Sequence, residues 1–182
     1  MKKRMPYAIS NFEEFASGEY YTVDKTQYIE KLELIKNPVF LRPKRFGKSL
    51  FTEMLRWYYD IKAKDRFSEL FGQYYIGRNP TANRNRYLVL SLDLSGMDTM
   101  ADDKEQELKK YFNSRIVGHC KMFLTHYEDI FNIDESFIEK FETEFKNNSV
   151  GAINELQRLA NKSGNQIYIC IDEYDSLTNA LA

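Results

Sequence analysis

The sequence predicts an α/β fold in which a mostly parallel sheet is flanked by helices. Three observations carry this expectation. Two nearly continuous apolar runs, residues 87–94 and 167–171, are short enough for buried strands. Between them, apolar residues recur every three or four positions, the period of amphipathic helices. A third apolar run, residues 39–41, leads through a loop into another helical period. Strands separated by helices imply crossover connections, and those build parallel sheets.

The elements follow in order. Residues 7–21 are aromatic-rich and are expected to fold against the rest. "TVDKTQYIEKLELI" reads as a turn opening a short helix, with Ile29, Leu32 and Ile35 on one face. Asn37-Pro38 ends it. Val39, Phe40 and Leu41 suit a short buried strand, and Leu50, Phe51, Met54, Leu55 and Tyr58 mark the helix after the loop. "FSELFGQYYIG" predicts a helical turn ending near Gly72, then an extended piece, and "NPTANRNR" is loop. Leu108, Phe112, Ile116, Cys120, Phe123, Tyr127 and Phe131 predict one long helix, or two in series around Gly118. Phe137, Ile138, Phe141 and Phe145 mark another. A third, capped by Ser149, carries Ile153, Leu156 and Leu159 and ends at Gly164. A buried strand over 167–171 then runs into Asp172-Glu173.

Composition narrows the class. A chain of 182 residues predicts one domain with a sizeable core. Its 26 Lys and Arg balance 27 Asp and Glu, so no global basic excess argues for a nucleic-acid coat protein. Cys120 and Cys170 stand in unrelated contexts, which speaks against a disulfide framework or a zinc site and for a reducing, cytoplasmic setting. The basic start "MKKRMPYAIS" is followed by no apolar core of a signal peptide, and no stretch approaches the roughly 18–20 apolar residues of a membrane span. No internal repeat and no Gly/Ser/Pro linker divides the chain.

The chemistry sits in two motifs. In "FLRPKRFGKSLFTEML", Gly47-Lys48-Ser49 looks like the end of a phosphate-binding loop, although Arg42 occupies the position of its first glycine. Such a loop works through inward-pointing N–H groups and the positive N-terminus of the following helix. Gly47 would allow close backbone approach, Lys48 would bridge the β- and γ-phosphates, and the Ser49 hydroxyl would bind Mg²⁺. Arg42, Lys44 and Arg45 add positive charge. The second motif is an apolar strand followed by Asp-Glu, the Walker B pattern. Asp172 is expected to hold the cation opposite Ser49, and Glu173 to act as general base on a water. The bland alternatives are three common residues in a basic turn that meets nucleic-acid backbone, and two acids that merely end a strand.

"YYTVDKTQYIEKL", "FLRPKRFGKSLFTEML", "YLVLSLDLSGM" and "IYICIDEYDSL" together resemble the bacterial AAA-ATPase-like family, in family order and over nearly the whole chain. In that family a basic or Pro-containing stretch commonly replaces the first loop glycine. Arg42-Pro43 fits this, and Lys44 departs from the usual Arg. The resemblance implies a P-loop NTPase-type fold that binds ATP and Mg²⁺. Residues 42–50 (Arg42, Pro43, Lys44, Arg45, Phe46, Gly47, Lys48, Ser49 and Leu50) would contact nucleotide, Ser49 and Asp172 the metal, and Lys48 and Glu173 would be catalytic. It also implies a further strand between the loop strand and the Walker B strand, later in sequence than Walker B, with a sensor, an arginine finger and a lid. The sequence ends nine residues after Glu173. Residues 1–182 are therefore expected to be the N-terminal portion, without the sensor, the lid or the nuclease-like region that many relatives carry. ATPase activity is expected of the full-length form, with weak or no hydrolysis by this portion. Nucleic-acid binding or self-association is a further expectation for the full-length protein. The rival class is a non-catalytic anion- or nucleic-acid-binding module on the same fold.

Weaker signals read as structural. Asp24-Lys25-Thr26 suits a turn with a helix cap at Asp24; the alternative is the base-side wall of a nucleotide pocket. Glu144 and Lys146 flank an inward Phe145 on a helix. His119 and His126 lie seven apart without a carboxylate at metal-ligand spacing. Arg78, Arg84 and Arg86 suit a solvated loop.

Overall fold

A computed structural model describes residues 4–6, 9–40, 46–96 and 104–174. The chain forms two compact units, Met1–Arg86 and Tyr87–Ala182.

The first unit is helical. Helix α1 spans Phe12–Ser17 and is capped by Asn11, whose side chain accepts from the Glu14 amide. It buries Phe12 and Phe15, as the aromatic content of this segment predicts, and Phe12 packs on Phe71 at 5.0 Å between ring centres. Helix α2, Tyr28–Leu32, buries Ile29 and Leu32, but Ile35 lies beyond its end and is exposed. Helix α3, Lys48–Tyr59, buries Met54, Leu55, Tyr58 and Tyr59. A 3₁₀ turn, Ile61–Arg66, is capped by Asp60 and leads into α4, Phe67–Phe71. Where an extended piece was expected after Gly72, the chain makes another helical turn, α5, Tyr75–Arg78. Tyr58, Phe67 and Phe71 form one aromatic cluster with ring centres 5.2–6.0 Å apart.

The expected strand at residues 39–41 is not formed at its described positions. Residues 38–40 have no regular structure, and Val39 is 68% exposed. An apolar run becomes a strand only where a neighbour takes up its N–H and C=O groups, and Pro38 supplies no N–H. Leu41 lies outside the described residues.

The second unit holds the sheet. Strand β1, Tyr87–Asp93, is followed by α6, Lys104–His126; α7, Glu128–Phe131; α8, Glu135–Phe145; α9, Ser149–Lys162; and strand β2, Gln166–Asp172. Among the described residues the sheet has two strands, parallel and in register from Tyr87↔Gln166 to Asp93↔Asp172. Helices α6, α8 and α9 pack on one another, α6 on β1 and α9 on β2. Gly118 does not divide the long helix; the break comes at Tyr127, where φ −112° and ψ 22° leave the helical region. The cap of α9 is Asn148, one residue before the expected Ser149: its Oδ1 accepts from the Gly151 amide. The helix ends before Gly164, at φ 74°, as expected. Strand β2 forms where the sequence places it, yet its burial differs. Ile169 and Ile171 are about half exposed, while their register partners Leu90 and Leu92 are buried. With a single neighbouring strand among the described residues, β2 keeps the openness of an edge.

Strand β1 has its outer edge covered by α6. The Leu94 amide donates to Asp172 O, so the alternate amides of Val89, Ser91 and Asp93 face away from β2. Val89 N donates to Tyr127 Oη at 2.8 Å, and Asp93 N to His119 Nε2 at 3.3 Å. Eight helical residues rise about 12 Å and four strand residues about 13 Å, so the two rows keep step. Tyr127→Phe is expected to strand the buried Val89 amide, at a cost of about 2 kcal/mol. Thermal unfolding should report a Tm lower by about 4–8 °C.

Among the described residues no helix is long and apolar enough to cross a membrane.

Candidate functional site

The lysine-bearing turn lies in the first unit. Gly47 is the N-cap of α3, at φ 77° and ψ 28°. Among the described residues a Cβ there would meet nothing within 4 Å, so the left-handed backbone is what calls for glycine. The first α-helical bond is Phe51 N to Gly47 O at 3.0 Å. The amides of Lys48, Ser49 and Leu50 precede it, and among the described residues they have no hydrogen-bond acceptor. The first turn of α3 carries no acidic residue. Lys48, Ser49 and Leu50 are half-buried and Phe46 is exposed. Amides with no acceptor among the described residues, a positive helix end and one lysine make this turn suited to an anion. Arg42, Pro43, Lys44 and Arg45 lie outside the described residues.

The acidic pair lies in the second unit. Asp172 is the last residue of β2, at the C-terminal edge of the parallel pair, where open α/β sheets bind ligands. Its Oδ1 accepts from the Glu173 amide at 2.9 Å. Glu173 has φ 52°, a left-handed conformation that is uncommon for a non-glycine residue. The predicted residues thus fall as Lys48 and Ser49 in one unit, and Asp172 and Glu173 in the other.

Sequence reasoning missed the surroundings of Asp172. Its register partner is Asp93. Asp93 Oδ1 accepts from Ser95 N at 2.9 Å, and Oδ2 from Arg115 NH2 at 3.3 Å. Arg115 Nε donates to Asp93 O at 2.9 Å, and His119 Nε2 lies 3.1 Å from the same oxygen. Burial opposes the charge on Asp93. The Ser95 bonds and the nearby Arg115 and His119 outweigh it, and hold the carboxyl below its ordinary value. The signal was in the sequence: Tyr111, Arg115 and His119 recur at four-residue spacing beside the apolar stripe.

Asp24 and Thr26 bind structure, and the expected cap at Asp24 is corrected in its target. The N-cap of α2 is Gln27, without a side-chain bond. Asp24 Oδ1 instead takes the Thr26 amide at 2.9 Å and hydroxyl at 2.6 Å, and Oδ2 takes the Tyr75 amide at 2.6 Å. Thr26 Oγ1 in turn accepts from Ile76 N at 3.1 Å. The cap therefore serves α5, about fifty residues on in the chain. Among the other weak signals, Arg84 stacks over Phe67 at 4.5 Å, and the His126 ring packs edgewise on Tyr127 at 4.5 Å. Glu144 and Lys146 are exposed.

A family model described as predicted AAA-ATPase matches residues 6–182. The chain belongs to this AAA-ATPase-like family. No curated protein and no solved structure matches it.

Proposed function

We propose that the chain is a P-loop-type domain that binds ATP with Mg²⁺, and that the family's ATPase chemistry runs through Lys48, Ser49, Asp172 and Glu173. The observation that carries this reading is the start of α3: a left-handed Gly47, three amides without acceptors among the described residues, and Lys48-Ser49 in the first turn. On this reading Lys48 and the α3 amides hold the β- and γ-phosphates. The Ser49 hydroxyl and the Asp172 carboxylate are hard oxygen ligands of the type Mg²⁺ accepts. Mg²⁺, when bound, neutralises charge on the phosphates. Glu173, one residue beyond Asp172, accepts the proton of an attacking water.

The test is calorimetric titration of Mg-ATP into the 182-residue chain, repeated with Glu173→Gln. Saturable binding that survives Glu173→Gln is expected, because the base acts on water and not on the phosphates. Absence of nucleotide binding, with nucleic acid bound instead on a steep salt slope, would favour the anion- or nucleic-acid-binding module.

A further inference from the structure

Two carboxylates end adjacent strands, but they are not equivalent. Asp93 and Asp172 are register partners, so their side chains leave the same face of the sheet, on strands about 4.8 Å apart. Asp172 spends one oxygen on the next amide. Asp93 is engaged at both its carboxylate oxygens and at its carbonyl, by Ser95 and Arg115. Arg115 accounts for much of this: one guanidinium binds the Asp93 carbonyl, its Oδ2 and the Ser95 hydroxyl. The planar fork of arginine lets one group reach all three.

A second free carboxylate beside Asp172 would matter. Side by side, two carboxylates draw a divalent cation between them. An internal countercharge on one of them removes that competition. We propose that Arg115 is a positioning residue of the cation site: it keeps Asp93 out of that site, so that Asp172 alone faces the metal. The cation itself comes from the function proposed above, on which this inference rests. His119 supports the same strand end through the Asp93 main chain, and helix α6 brings both residues to it.

The probe is Mn²⁺ alone, titrated without nucleotide into the full chain and followed by electron paramagnetic resonance. Arg115→Gln keeps a donor for the Asp93 carbonyl and removes the charge. It is expected to bind Mn²⁺ about tenfold more tightly than the parent, the lower end of what one neighbouring charge does at a carboxylate. The double variant Asp93→Asn/Arg115→Gln should return to the parent affinity, and Arg115→Lys, which keeps the charge, should stay close to it. A purely structural arginine would lower Tm in every variant and leave the Mn²⁺ affinities alike. No gain in Arg115→Gln, or a gain that persists in the double variant, overturns the proposal; should Arg115→Gln unfold, Asp93→Asn/Arg115→Met against Arg115→Met gives the same comparison. Titration of Mg-ATP into the parent chain separates the two ideas. Nucleotide binding with no Mn²⁺ gain removes only the role of Arg115, and a Mn²⁺ gain without nucleotide binding removes only the ATP reading.

Discussion

Lys48→Ala is expected to weaken Mg-ATP binding about a hundredfold while leaving Tm nearly unchanged. The size follows from one charge-assisted contact to phosphate, worth about 1.5–3 kcal/mol, and from about 1.4 kcal/mol per tenfold in affinity. The stability side follows from position. Lys48 is the first residue of α3, half-buried, and it makes no ion pair among the described residues. Alanine is the best helix former, so α3 keeps its start. The bond from Thr52 Oγ1 to Lys48 O uses the main chain and survives the change. Ser49→Ala should behave differently: affinity for ATP without Mg²⁺ stays, and the gain on adding Mg²⁺ shrinks. Calorimetry with and without the cation reads both. Equal losses in Lys48→Ala and Lys44→Ala would mean that the loop acts only as a diffuse cationic patch.

The two strands and the long helices were legible because each satisfied a local rule. Residues 87–94 and 167–171 are apolar almost throughout, and both form strands. The segment at 39–41 is as apolar but has no partner at its described positions, and pairing is a non-local property that no window of sequence contains. Gly118 illustrates the opposite error. A glycine inside a helix costs about 1 kcal/mol against alanine, and α6 absorbs it within 23 residues of continuous helix. The real break falls at Tyr127, whose hydroxyl takes up an amide of β1.

The candidate site shows the same division. Gly47-Lys48-Ser49 and Asp172-Glu173 could be named because their chemistry is carried by adjacent residues. The setting of Asp172 could not, because Asp93, Arg115 and His119 meet only once β1, α6 and β2 are assembled. Asp24 and Thr26 failed in a subtler way. The capping chemistry was legible, and its target was not, since α5 lies far along the chain.

That distant cap makes Thr26→Val the substitution with the largest expected loss of stability. Thr26 is fully buried, and its hydroxyl both donates to Asp24 and accepts from the Ile76 amide. Valine keeps the shape and deletes both bonds. The Ile76 amide is left buried without an acceptor, and the Asp24 carboxylate loses a short, charge-assisted donor. Together these cost about 3 kcal/mol, or about 6–12 °C in Tm for a chain of this size. The pH dependence has a definite sign. Burial opposes ionisation of Asp24, but the Thr26 hydroxyl, the Thr26 and Tyr75 amides and the Arg78 charge outweigh it and lower its carboxyl below the ordinary 3.8. A lowered folded value means that the stabilisation is present above the ordinary value and fades as pH falls through the folded one. Wild type and Asp24→Asn should therefore differ most in Tm near neutral pH, and converge as the pH drops below the ordinary carboxylate range. Thermal melts of wild type, Thr26→Val and Asp24→Asn at pH 7 and at pH 3 read both effects. A gap that stays constant across that range would show that the link between residues 24–26 and α5 owes nothing to the charge on Asp24.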